Sequence, residues 1–423
     1  MGILAISLSM SFATTAVTRV ENMVSGVSGA DAFYASRAGI EDVLYQLGND
    51  PNLGSGSAVT FTSSTLGRTT YIATISGNGQ TRIATTTGIL DKFIRKSEVQ
   101  LSASASAGNV VLSYAAQIGQ GGIDMSNGSQ ISGVGGIDGN VYSNGIIKGS
   151  NTAKIIGNAW AVDGINPSNG NITITKNAYG SVIKNCTVNG NTYSPALPIN
   201  CTVSGSKIIT PAPTPITLPQ VDIAYWQNAA AAGGTLASYS LSGTSQASLG
   251  PKKITGDVTL SNSAILTVTG ALWVYGTFTI QNSAQLKIDN SFGKNGTIIL
   301  LDHPTDKANK GTLVIQNSAS VSKTSQGGYI LFVSTNQHND CSVIAASFNN
   351  NTALTAIIAN DGCVQINNSG GLVALSARQL NLANSAQISY ETGLSSELYL
   401  PGPGVGGSSG LSGWTITSWK EIP

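Results

Sequence analysis

Charge is what this chain has least of. Of 423 residues only 10% are Asp, Glu, Lys or Arg, where soluble domains average about 25%. Lys+Arg 21 against Asp+Glu 20 leaves a net charge of +1. With no basic run besides, the phosphate-neutralising surface that nucleic-acid binding needs is excluded, and no nucleic-acid partner is expected. Histidine is scarce too, with His303 and His338 the only two, which disfavours most histidine-dependent catalysis. The four cysteines show no CxxC or other metal-ligand spacing, so neither a metal nor any other cofactor is expected. Proline is absent before Pro51.

Glycine is abundant, at 50 residues, and 41% of the chain is apolar. That excludes the polar, highly charged composition of disordered chains and predicts a folded protein with many turns. The length allows more than one domain.

The proline-free start predicts one long helix over residues 1–50, stopped by Gly48-Asn49-Asp50-Pro51. Residues 1–18 carry no charge and include Ile3, Leu4, Ile6, Leu8 and Phe12. They approach the roughly 20 residues that cross a bilayer. The second half is amphipathic, with Phe33, Ile40, Val43, Leu44 and Leu47 near one stripe. A helix of about 45 residues is roughly 68 Å long, more than a compact domain buries, so its first half is expected in a membrane or among neighbouring chains. Residues 51–108 change period. The β-branched runs at Ala58–Thr62, Thr70–Ile75 and Thr81–Thr87, with turn residues Ser76-Gly77-Asn78-Gly79, predict a small antiparallel β module packed on the amphipathic half-helix.

From about residue 121 the chain repeats. Asn precedes an aromatic by two positions at Asn140/Tyr142, Asn158/Trp160, Asn177/Tyr179 and Asn191/Tyr193. Asn-Ser-Ala between alternating apolar residues recurs at Asn262, Asn282, Asn317 and Asn384, with looser copies at Asn351 and Asn368. Units of roughly 14 to 20 residues, each two short strands about a sharp bend, suit one coil of a parallel β-solenoid stacked at about 4.8 Å. Asn suits the bend because it tolerates the left-handed region. The fold class is therefore mainly β: a long N-terminal helix, a small antiparallel module, then a parallel, right-handed β-helix. Its first segment spans 109–207 and its second 237–400. Between them, 208–236 reads as a Pro-rich linker with a short helix able to cap an open coil end. Residues 401–423 form a Gly/Pro-rich tail with a last strand. Cys186 and Cys201, and likewise Cys341 and Cys363, stand about one coil apart, within reach of disulfides between adjacent rungs. Such pairs favour an oxidising, extracytoplasmic setting over free buried thiols.

The run Ala32-Phe-Tyr-Ala-Ser-Arg-Ala-Gly-Ile-Glu-Asp-Val-Leu-Tyr-Gln-Leu47 after an apolar stretch resembles the stem of PilX-like minor pilins and the larger pseudopilins of type II secretion. The Asn-Ser-Ala coils resemble repeats of bacterial surface proteins. The resemblance implies export, a stem in the inner membrane, and stems packed into a filament or taken up by type IV pilus-like machinery. Ile3, Leu4, Ile6, Leu8, Phe12, Glu21, Phe33 and Glu41 would then be the assembly stem. The pattern departs in having no basic leader, and Glu21 lies too deep to match the Glu near the start of a mature pilin. The expectation is that Met1 is internal to the stem or that the chain is not processed as a pilin.

Three functions follow as expectations. The first is an exported, non-catalytic surface protein that forms or decorates a filament, or holds a rigid spacer outward, associating through its stem and anchored in the membrane. Here Asn262, Asn282, Asn317 and Asn384 form inward ladders along the axis, and Glu41 is satisfied by a neighbouring subunit or by Arg37 on its own helix. The second is a polysaccharide-binding adhesin that uses Tyr142, Trp160, Tyr179 and Tyr193 as a stacking row. The third, a β-helix carbohydrate-active enzyme, has only the Asp302-His303 and Asp306 cluster to offer, which reads better as a solvated loop.

Overall fold

The computed structural model describes residues 27–47, 53–54, 57–63, 69–78, 81–103, 110–166, 170–338, 340–350, 352–353, 355–391, 394, 399–402 and 414–422. Ile3, Leu4, Ile6, Leu8, Phe12 and Glu21 of the expected stem lie outside them, as does the repeat copy at Asn351. The chain divides into two compact units, Met1–Ser104 with Gly410–Pro423, and Ala105–Ser409.

In the first unit, helix α1 (27–47) buries Ala32, Ala35, Ser36, Gly39, Ile40, Val43 and Leu47, a stripe of helical spacing. Phe33 and Leu44 are half-buried. The stripe shares a core with Tyr71, Ala73, Ile75, Ala84, Val99, Leu101 and Trp414. These come from a five-stranded antiparallel sheet in the order Val59–Thr62, Thr70–Asn78, Thr81–Leu90, Phe93–Ala103, Trp414–Ile422. Small residues let the helix come close. A Cβ at Gly88 would stand 1.9 Å from the Ala32 carbonyl oxygen, and one at Gly39 would stand 2.9 Å from the Tyr71 ring. Within this contact the buried Thr86 hydroxyl donates to the Ser36 carbonyl at 2.7 Å, and Ser36 meets Ser97 at 3.0 Å. The tail strand Trp414–Ile422 belongs to this sheet, with Trp414 opposite Ala103.

The second unit is a stack of coils with parallel pairing throughout. A typical coil has three strands, as in Leu272–Val274, Thr277–Ile280 and Gln285–Ile288, which pair in register with Lys252–Ile254, Val258–Leu260 and Ile265–Val268 of the preceding coil. Alternation puts Leu272, Val274, Phe278, Ile280, Leu286 and Ile288 inside. Repetition extends this into one core along the whole unit.

The coils are not stacked in chain order. The chain starts in the middle, at Ala116–Met125, and winds through Val141–Ser143, Ala159–Ala161, Ala178–Gly180 and Thr192–Ser194 to Lys207–Ile209 at one end. Residues 210–222 then run back along the side of the stack. The Gln117 and Asn360 side-chain amides hold this strap by the carbonyls of Thr217 (2.9 Å) and Pro219 (2.6 Å). Asn144 grips it twice, donating to the Ile216 carbonyl at 2.8 Å and accepting from the Ile216 N–H at 2.9 Å. Winding restarts at Thr235–Leu236, at the opposite end, and returns to Ala374–Leu382, which pairs parallel with Ala116–Met125 where the chain began. The two runs are therefore one continuous stack.

Helix α2 (Ile223–Ala231) begins at Asp222, whose carboxylate accepts the Tyr225 N–H at 3.0 Å. Its contacts run across Lys252–Ile254, Leu272–Val274 and Thr297–Leu301, so it covers the outer face of three successive coils. Trp226 and Ala230 are its buried residues. Under α2 and the strap, the strands Thr297–Leu301 and Ile330–Ser334 are buried on both faces.

Candidate functional site

One corner of every coil but the first is turned by an asparagine in the left-handed region. Asn262, Asn282, Asn317, Asn350, Asn368, Asn384, Asn127, Asn151, Asn166, Asn185 and Asn200 follow one another up the stack, with φ between 43° and 56°. Gly243 turns that corner in the first coil, with φ 70°. Asparagine bears this geometry better than other side chains and bonds locally besides. The side-chain amides bond coil to coil: Asn282 to Asn262 at 3.4 Å, Asn317 to Asn282 at 3.1 Å and Asn384 to Asn368 at 3.1 Å. The ladder continues across the junction of the two runs, from Asn127 to Asn384 at 2.9 Å and from Asn151 to Asn127 at 2.9 Å. Contrary to an inward ladder, these amides are exposed. Two successive left-handed residues make a tight turn outside the core, so the side chains stay in water. Asn166 is buried, and its amide bonds the Gly149 N–H at 2.6 Å.

A second series works through the backbone. The side-chain oxygen of Asn140 accepts the Asn158 N–H at 2.9 Å, that of Asn158 the Asn177 N–H at 3.1 Å, and that of Asn177 the Asn191 N–H at 2.8 Å. Asp257 does the same for the Thr277 N–H at 2.8 Å.

The aromatic residues two positions on form a stacked row. Ring centroids are 6.1 Å apart from Tyr142 to Trp160, 5.0 Å from Trp160 to Tyr179 and 4.4 Å from Tyr179 to Tyr193, with planes within 10° of parallel. The row points outward, and Trp160, Tyr179 and Tyr193 are half-buried. Tyr142 is buried and donates to the Thr214 carbonyl of the strap at 2.5 Å. Burial raises the hydroxyl pKa of Tyr142, and burial, with Tyr193 beside it, raises that of Tyr179. Interior rings spend both faces on each other. A sugar stacks on a free aromatic face, so the row offers a glycan mainly edges and hydroxyl tips. The same outward column continues through Gln117, Ser376, Ile358, Val333 and Leu300 to Trp273. There α2 covers it.

Cys186 and Cys201 form a disulfide between adjacent coils with Cα atoms 4.6 Å apart, and Cys341 and Cys363 form another with 5.3 Å. In the Asp302 cluster the insertion 303–310 is half-buried to exposed, as a solvated loop is, but Asp302 itself is buried, at 1% exposed. One carboxylate oxygen receives Lys307 at 3.2 Å and the Thr335 hydroxyl, and the other receives Gln227 of α2 at 2.7 Å. His303 accepts the Asp306 N–H at 2.8 Å. These groups are occupied in holding the insertion and α2 to the stack. A shallow cleft lined by Gln120, Asp124, Lys148, Asp163 and Gln379 contains no histidine or cysteine. No group of three or more His, Cys, Asp and Glu among the described residues is placed to hold a metal ion.

On α1, Glu41 is exposed and has no ion-pair partner among the described residues. Arg37 lies over the rings of Phe33 and Trp419, at 5.9 Å and 5.4 Å. No helix of the described residues is long and apolar enough to cross a membrane.

No family model matches this chain, and no curated protein does. Among solved structures it is similar to the competence-associated pilin ComZ from Thermus thermophilus, with 11% identity, covering 93% of this chain and 97% of that one. The TM-score is 0.36, too low to carry an inference about fold or function.

Sequence reasoning missed the strap's partners. Asn144, Gln117 and Asn360 belong to no repeat motif, and their shared role exists only once residues 210–222 lie against them. The excess of proline in 210–219 was the available signal, since an extended, unpaired segment needs side chains to bond its carbonyls.

Proposed function

We propose that this chain is an exported, non-catalytic structural protein of the type IV pilin-like class, whose stem assembles into a filament or with pilus-like machinery while its coil stack is held outward as a rigid spacer. The observation that carries this reading is how the repeated chemistry is used: asparagines, aromatics and cysteines are engaged coil to coil. The stem part rests on the Ala32–Leu47 resemblance, on the close packing of α1 against its sheet, and on the exposed Glu41, which suits a neighbouring stem. An extracellular or cell-surface location agrees with two disulfides.

Immunogold electron microscopy of native cells, with antibody raised to 105–409, tests it. Label on surface filaments or spikes is the expected result; label confined to the cell interior overturns it. The adhesin alternative depends on the aromatic row and is weakened by its face-to-face stacking. Glycan-array binding lost in both Trp160→Ala and Tyr193→Ala would restore it.

A further inference from the structure

We infer that the coil stack has two open, complementary ends, and that a second copy of this chain docks there end to end. At the upper end the strands Ile199–Val203 and Lys207–Ile209 pair on one side only among the described residues. Ile209 continues the inward column of Ser143, Ala161, Gly180 and Ser194. Those four are buried, yet Ile209 is 60% exposed, and Val203 is only half-buried although its partner one coil further in, Val188, is fully buried. Aliphatic side chains are thus left in water where the core column stops.

The lower end is open in the same way. Leu236, Tyr239, Leu241 and Ala247 are half-buried, while their partners one coil further in, Ile254, Val258, Leu260 and Leu266, are fully buried. Tyr239 N–H and the Leu241 carbonyl are bonded to the coil above. By the alternation of a strand, the Ser240 N–H and carbonyl face away from it. Strands 235–249 carry no charge. Lys207 at the upper edge has a stem long enough to keep its ammonium in water.

The chain itself contains the contact that this docking would repeat. Where its two runs meet, Leu380 and Leu382 lie against Ile123 and Met125 by parallel pairing, although the segments are far apart in sequence. Core columns join and the asparagine ladder continues from Asn384 to Asn127. Both runs wind in one sense, so the upper end of one copy meets the lower end of another in the same parallel relation. Such a contact is heterologous and does not close on itself, so it builds chains of molecules. It involves no residue of the stem.

Sedimentation velocity on the full chain over a range of concentrations tests this. Wild type is expected to form concentration-dependent dimers and longer species. Ile209→Lys blocks the upper end. Ser240→Pro removes an outward N–H that edge strands can lose without harm to the fold. Each alone is expected to lose end-to-end species while keeping the wild-type circular dichroism. Because each retains one intact end, their mixture is expected to give dimers and nothing longer. Val203→Lys serves as a second upper-end variant should Ile209→Lys fail to fold. A wild type that stays monomeric overturns the inference. So does association that neither variant alters, which would instead be stem assembly.

Discussion

Gly88 and Tyr71 show how single residues hold α1 to its sheet. Since a Cβ at Gly88 would fall 1.9 Å from the Ala32 oxygen and 2.5 Å from the Ser36 nitrogen, Gly88→Ala must push the helix off the sheet. Overpacking of this kind costs typically 1–3 kcal/mol, and we expect about 2–3 kcal/mol, read as a lower melting temperature of the first unit. The Ala/Gly run of α1 is legible in sequence as a motif. Its physical reason, close approach, needs the opposite strand, because nothing near Gly88 in sequence says that a helix backbone lies over it. Tyr71 donates to Asp42 at 2.7 Å. Burial first, and then the bond to and charge of Asp42, push its pKa from 10.0 up to about 12. The fold holds the neutral phenol, so its stabilisation is complete below pH 10 and is lost as pH rises through about 12. Unfolding free energies of wild type and Tyr71→Phe should therefore differ at neutral pH by about 1–2 kcal/mol for the lost bond, and converge across that alkaline window. A constant difference across the window would mean that the phenol ionises normally.

The corner and the strap are the elements that hold the stack. At the corner, Asn317 has φ 56° and donates to Asn282 at 3.1 Å. Other L-residues meet a cost of roughly 1–2 kcal/mol in that conformation, and glycine meets none. Chemical denaturation of the coil unit should show Asn317→Ala losing about 1–2 kcal/mol and Asn317→Gly less than half as much. Equal losses would mean that the ladder bond matters and the bend does not. These corners are legible in sequence because a left-handed preference is local. Whether an Asn or aromatic column faces in or out is not, since alternation looks the same from either side. The exposed amides and the half-buried aromatic row were settled by where the turn falls and by what the strap covers. For the strap, Asn144→Ala removes both bonds to Ile216, and limited proteolysis within 210–219 is expected to become several-fold faster. An unchanged rate would place the holding contacts elsewhere.

In the whole molecule, the coil stack interrupts the sheet of the first unit between two strands that are direct partners, for Ala103 lies opposite Trp414. Within the stack the chain does not leave beside its entry: past Tyr390, whose hydroxyl donates to the Leu112 carbonyl at 2.7 Å, it reaches a coil several layers away. There the Thr297 hydroxyl donates to the Leu400 carbonyl at 2.8 Å and the Ala271 N–H to the Pro401 carbonyl at 2.9 Å. Replacing residues 105–409 by a short hairpin turn should leave the first unit folded, with antiparallel sheet in circular dichroism and a cooperative melt. An unfolded product would show that the module depends on the stack. Coil length, the asparagine bends, the cysteine spacing and the small-residue face of α1 are legible in the residues alone, because each depends on side chains within one coil or one helix. Which coil lies on which, the closure of 374–382 against 116–125, the strap made by the Pro-rich segment and the return of the last strand to the first sheet emerge only when the chain is folded. Parallel coil edges are nearly interchangeable. Every edge presents the same backbone groups and an apolar column, so the choice among them rests on long-range contacts that no local pattern encodes.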